Sequence, residues 1–185
     1  RYVDRATGHI YDTLLATLEK IRVTNNTLPK IYEVYFRSDG NAVLFRSLQN
    51  DSDVVENLSL ALTPPKSTST LYAVSSTVLR GNISTVTVGP GNTLFYALRD
   101  TSAIVSSTFN GTSAKTLLTS PFTDWRLNAV GNSLITYTKA SANTPGYAYT
   151  LNTTNGGLTK ILGPLNGLTV MQNNLGNRIL YSYIE

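Results

Sequence analysis

The 185-residue chain has no cysteine, one histidine and one tryptophan, and only 14% of its residues are charged, against roughly 25% in an average globular protein. Lacking cysteine, it has no disulfide, no thiolate metal site and no cysteine nucleophile. A lone histidine, His9, gives acid–base chemistry little to work with, and its place just past a turn suits an ordinary exposed or packed imidazole. There is no Gly-x-Ser-x-Gly elbow, His-Glu-x-x-His pair or phosphate loop, and Gly89-Pro90-Gly91 lacks the following helix that a nucleotide site needs. No catalytic residue, cofactor or metal is therefore expected. No apolar run approaches the roughly 20 residues that span a bilayer, and no signal-like segment is present. The net charge of +4 comes from 15 basic residues scattered along the chain. A nucleic-acid footprint needs clustering, so no nucleic-acid partner is expected.

What is abundant points to strands. Helix formers thin out after Lys20, while Val, Ile, Thr, Tyr and Phe recur in short runs bounded by Gly, Asn, Pro and Ser. A Gly-Asn pair recurs at Gly40-Asn41, Gly91-Asn92, Gly131-Asn132 and Gly176-Asn177, each time followed by an apolar strand-like run. The spacings are 91−40 = 51, 131−91 = 40 and 176−131 = 45, around the roughly 40 to 50 residues of a four-stranded propeller blade. A second mark keeps step: Asn110-Gly111 and Asn155-Gly156 each precede a Gly-Asn by twenty residues, and Lys115 and Lys160 each lie four beyond the glycine. Asn-Gly between β-type runs signals a hairpin whose residues tolerate positive φ. Residues 103–109 are thus expected to pair with 115–119, and 146–151 with 158–162, as third and fourth strands.

The reading is all-β: a β-propeller of about 3.5 to 4 four-stranded antiparallel blades, with blade portions near 1–30, 31–83, 84–122, 123–165 and 166–185. Thr7-Gly8 is expected to join third and fourth strands at 2–6 and 9–15. Because 40−8 = 32, residues 13–26 then read as an insertion, in which Leu14, Leu15 and Leu18 have the spacing of one helical turn. Residues 63–70, with Pro64-Pro65, read as a second excursion, since proline withholds a donor from a sheet. The chain would open on third and fourth strands and close on first and second. Those halves could complete a four-bladed ring or be cut ends of a larger propeller; the larger propeller is the expectation.

Loops carried by rigid blades are where propeller function is sought. Phe122, Asp124, Trp125 and Arg126 form the densest aromatic and charged cluster, of a composition enriched at interface hot spots. Against that stands packing of Trp125 between blades. Tyr147 and Tyr149 alternate with Ala148 and share a strand face, with inter-blade packing as the competing role. Asp51, Asp53 and Glu56 could offer oxygens to a hard cation but lack the glycine and spacing of a calcium loop. Asn-x-Ser/Thr sequons, among them Asn25, Asn57, Asn82, Asn110 and Asn152, occur about as often as composition alone gives.

The turn-strand-strand-turn-strand repeat resembles TolB-type and WD-type propeller repeats, and Ser38-Asp39-Gly40-Asn41 is similar to the TolB-type Ser-Pro-Asp-Gly turn. Later copies lose the Asp, and no WD dipeptide occurs. Ser120-Pro121-Phe122-Thr123-Asp124-Trp125, Pro145-Gly146-Tyr147-Ala148-Tyr149, Leu158-Thr159-Lys160-Ile161-Leu162-Gly163, Asn166-Gly167-Leu168-Thr169 and the opening residues 1–11 resemble an uncharacterised group of bacterial WD/TolB-like propeller proteins. That resemblance implies a longer protein at the cell envelope, outside the cytoplasm, anchored through an N-terminal segment beyond this chain. Together with the absent catalytic motifs it leads to the expectation of a non-catalytic binding or scaffold module for a protein, peptide or glycan partner. The alternative is an accessory propeller of a larger hydrolase, peptidase or glycan-active enzyme.

Overall fold

Short runs of β-branched and aromatic residues punctuated by turn formers have too few apolar positions at helical spacing to bury a helix face, so they satisfy their backbone groups by pairing. The computed structural model describes residues 1–48, 54–66, 71–122, 124–130, 133–173 and 175–185. They form seventeen strands in five antiparallel sheets, with one 3₁₀ turn at Pro90–Asn92. None of them belongs to a helix long and apolar enough to cross a membrane. The chain divides into two units, Arg1–Gly81 with Phe109–Gly111, and Asn82–Thr108 with Thr112–Glu185.

In the first unit β1 (Tyr2–Val3), β2 (Ile10–Thr13) and β3 (Lys20–Arg22) form a three-stranded sheet. A four-stranded meander follows: β4 (Ile31–Phe36), β5 (Ala42–Leu48), β6 (Val55–Thr63) and β7 (Ala73–Val78). Ile10, Val23, Ile31, Val43, Phe45, Leu60 and Leu62 make its core. The other face of the meander is polar at one row. Register places Glu33 and Asn57 on either side of Arg46. The Arg46 side chain, only 4% exposed, gives Nη1 to Glu33 Oε2 at 2.6 Å and Nε to Asn57 Oδ1 at 3.0 Å. Tyr35 donates its hydroxyl to the same Glu33 oxygen at 3.2 Å, and the guanidinium stands 5.5 Å from the centre of the Tyr32 ring. A buried guanidinium must be paired in this way to stay charged.

The second unit contains two four-stranded meanders and a hairpin. They are β8 (Ile83–Val88), β9 (Leu94–Leu98), β10 (Ala103–Ser107) and β11 (Lys115–Thr119); then β12 (Trp125–Val130), β13 (Ser133–Thr138), β14 (Gly146–Leu151) and β15 (Leu158–Leu165); then β16 (Thr169–Gln172) with β17 (Ile179–Ser182). Phe95, Ala97, Ile104, Leu117, Trp125, Leu134 and Leu151 form a core between the meanders, and Ile135, Ala148, Leu168 and Val170 one between the second meander and the hairpin. The expected strands after Gly40, Gly91, Gly131 and Gly176 are β5, β9, β13 and β17, and the expected third and fourth strands are β10 with β11 and β14 with β15.

The N-terminal segment differs from expectation. Residues 13–26 are not an insertion, because they carry β3 and the hairpin turn before it. That turn repeats the 152–157 turn bond for bond. Leu18 N–H donates to Leu14 O and Leu14 N–H to Glu19 O, as Gly156 N–H donates to Asn152 O and Asn152 N–H to Gly157 O. Leu18 has φ +56 where Gly156 has +76. The Gly8 turn makes the same two bonds, to Asp4 and His9, so position in the sheet decides: the Leu18 turn joins the last two strands of its sheet, as the Gly156 turn does, and 40−18 = 22 lies near the twenty-residue step where 40−8 = 32 does not. Gly8 closes the preceding hairpin, between β1 and β2, whose strands are shorter than expected. The apolar spacing of Leu14, Leu15 and Leu18 comes from a turn that leaves all three exposed, not from a helical turn. The 63–70 excursion falls in the β6–β7 connection, with residues 67–70 outside the described residues.

Two outcomes follow from these placements. Leu18→Gly relieves a left-handed conformation at a side chain that is 72% exposed, and is expected to stabilise the chain by about 1 kcal/mol in equilibrium denaturation; a loss of stability would contradict the turn assignment. The Tyr35 phenol is pushed up to about 12, first by burial and then by the Glu33 charge. Both folded and unfolded chains hold it neutral below pH 10. Between pH 10 and 12 the unfolded chain ionises first, so stability falls as pH rises through that window. Tyr35→Phe is expected to make this alkaline fall shallower than in the parent chain, measured by urea titration at each pH.

Candidate functional site

Cross-strand register decides which of the sequence-derived candidates meet. In the second meander of the second unit Trp125 pairs with Thr138, Leu127 with Thr136, and Thr136 with Tyr149. Side chains at paired positions share a face, so Trp125, Tyr149 and, two residues earlier, Tyr147 lie on one side of the sheet. Arg126 is exposed on the other side. The expected common face of Tyr147 and Tyr149 is thus present, while Arg126 is separated from the aromatic residues.

Trp125 is 2% exposed and sits in the core between the two meanders. The Phe122 ring meets it edge-on at 5.8 Å and 82°, and Tyr149 meets it at 6.0 Å and 73°. Such edge-to-face pairs add about 0.5–1.5 kcal/mol each beyond the area they bury. Phe122, in the β11–β12 connection, remains 50% exposed, so a buried indole holds an accessible ring at the sheet end. Its backbone N–H donates to Ser120 Oγ at 3.2 Å, which fixes the turn that carries it. Asp124 is exposed beside it, and its carbonyl accepts from Lys139 N–H at 3.0 Å. Tyr147 is half-buried: its N–H donates to Thr138 Oγ1 at 3.0 Å, and Lys160 Nζ stands 4.9 Å from its ring centre. The cation and ring occupy each other, leaving Phe122 with Asp124 as the accessible part of the cluster.

His9 is engaged elsewhere, in the first unit. Its Nε2 lies 2.8 Å from Arg22 Nη2, a donor only, so that nitrogen accepts. Asp51 and Asp53 lie outside the described residues, and Glu56 is in β6. Sequence reasoning missed the Glu33–Arg46–Asn57 row, whose members become neighbours only through strand register. It also missed a cavity at the opposite end of the second unit's strands, walled by Pro90 and residues 152–154. In the sequence its walls adjoin two of the recurring turn marks, Gly91-Asn92 and Asn155-Gly156.

No protein-family model matches the chain, and no curated protein sequence does. Its structure is similar to that of puromycin hydrolase, solved as a mutant complexed with PGG, with a TM-score of 0.63 and 13% identity over 88% of this chain and 26% of that one. It is also similar to a chain of the nidogen/laminin complex, with a TM-score of 0.55 and 16% identity over 95% of this chain and 64% of that one. This chain thus spans less than two thirds of either. Both are β-propeller structures, and at these identities the likeness speaks to fold: the chain is all-β and built of the four-stranded antiparallel blades of a β-propeller.

Proposed function

We propose that this chain is part of a non-catalytic β-propeller binding module that presents the 120–126 connection to a protein or peptide partner. The observation that carries this reading is Phe122, half-exposed and held edge-on by the buried Trp125. A ring fixed in this way gives up little conformational freedom on binding, which suits a hot-spot anchor, with Asp124 as a charged neighbour. A peptide or protein is favoured over a glycan, since Trp125 has no open face on which a sugar could stack. The resemblance to envelope-anchored WD/TolB-like proteins supports an extracytoplasmic place for the whole protein, with any membrane contact made by a segment outside this chain.

A second reading, an accessory propeller of a larger hydrolase or peptidase, is favoured by the similarity to puromycin hydrolase. Selection of a random-peptide display library on the chain separates the two. The binding reading predicts enriched peptides whose affinity falls about 30-fold in Phe122→Ser, with the melting temperature of the variant recorded alongside. Affinity unchanged by that substitution would remove the site. Cleavage of aminoacyl-p-nitroanilides by the full-length gene product would favour the second reading.

A further inference from the structure

At the opposite end of the second unit's strands from Phe122, a cavity of about 360 Å³ lies between the turn that joins β8 to β9 and the turn that joins β14 to β15. Its floor is made by Phe95, Leu134 and Leu151, each less than 5% exposed. Pro90 forms one wall, and Asn152, Thr153 and Thr154 form the rim. The volume falls within the range of small-ligand sites.

Both turns are held in place by contacts within the fold. A side chain on Gly89 would collide with the Phe95 ring, so the ring seats directly against the backbone there. Gly91 and Asn92 both adopt left-handed conformations, with φ +64 and +61, and Thr93 N–H closes the turn onto Pro90 O. Across the cavity Gly156 lies on the Leu117 carbonyl of β11, and Lys115 Nζ donates to Thr154 O at 2.7 Å. Asn152 Oδ1 accepts from both Thr154 N–H and Asn155 N–H. The walls are therefore formed before any ligand arrives, which lowers the cost of binding.

The lining sets the chemistry. No lining residue is ionisable, so a charged group taken down onto the apolar floor would lose its hydration with no counter-charge in the lining; Lys115 is not among the lining residues, and its ammonium is engaged by the Thr154 carbonyl. The floor is apolar, with one aromatic edge. Among the described residues the Thr153 and Thr154 hydroxyls have no intramolecular hydrogen bond, which leaves two groups at the rim able to donate or accept. We infer that this cavity binds an uncharged molecule in which a ring-sized apolar group enters and a neutral amide or hydroxyl meets the threonine rim. The inference does not rest on the Phe122 patch, which lies at the other end of the strands.

The test is an amide-detected NMR titration of the full chain with N-acetyl-tryptophanamide, and with N-acetyl-tryptophan as the charged counterpart. The neutral probe is expected to produce saturable shifts at Gly91, Phe95 and residues 151–154, with the carboxylate at least tenfold weaker. Thr153→Arg, which places a cation over the mouth, is expected to weaken the neutral probe at least tenfold with an unchanged melting temperature. Thr154→Arg, at a more exposed rim position, serves should the first variant fail to fold. Absence of shifts at these residues up to the solubility limit would overturn the inference. So would equal binding of the two probes, or binding indifferent to a folded rim variant.

Discussion

Where the 152–157 turn crosses β11, its backbone lies against the carbonyl of Leu117 with no room for a Cβ at Gly156. That single close approach, at a residue whose φ of +76 already favours glycine, ties one sheet to the next. It brings Lys115 within reach of Thr154 and lets Leu117 share a core with Trp125, Leu134 and Leu151. Glycine thus answers two demands at once, a left-handed turn and a contact between backbones. The core between the two meanders, the edge-to-face chain from Tyr149 through Trp125 to Phe122, and the cavity behind Phe95 all lie between sheets held at the separation this contact sets.

Much of the stretch from residue 82 to residue 185 was legible because its turn residues are those the geometry demands. Asn155-Gly156 and Asn110-Gly111 mark hairpins through their glycines, which carry φ of +76 and +77, and the strands beside them begin close to where the apolar runs begin. The N-terminal sheet was misphased for a specific reason. The same turn occurs there with Leu18 in the left-handed position, and a leucine gives no turn signal, so the glycine signal at Gly8 falls one hairpin too early. The backbone tolerated an unfavourable residue, and the pattern that depended on the favourable one slipped.

The candidate site was legible only in part. Period-two alternation was enough to put Tyr147 and Tyr149 on one face, and the competing role weighed for Trp125, packing between sheets, is the one its burial describes. That Phe122 stays accessible while Trp125 does not depends on how two sheets stack, which no local pattern encodes. The Arg46 row illustrates the same limit. Glu33, Arg46 and Asn57 are 13 and 11 residues apart, and only pairing across three strands converts them into one polar row with Arg46 and Asn57 buried and Glu33 at its open end. Long-range register and sheet stacking are collective properties, so residues that depend on them are silent in a single sequence.

Gly156 is required for closeness and not merely for its turn. Gly91 supplies the comparison, since it too has positive φ, at +64, yet a Cβ there would meet nothing within 4 Å. Asparagine tolerates the left-handed region, so it separates the two demands. In equilibrium urea denaturation Gly91→Asn is expected to change stability by less than about 0.5 kcal/mol, whereas Gly156→Asn loses about 2 kcal/mol or more through the forced separation of the sheets. Equal effects at the two positions would contradict the account.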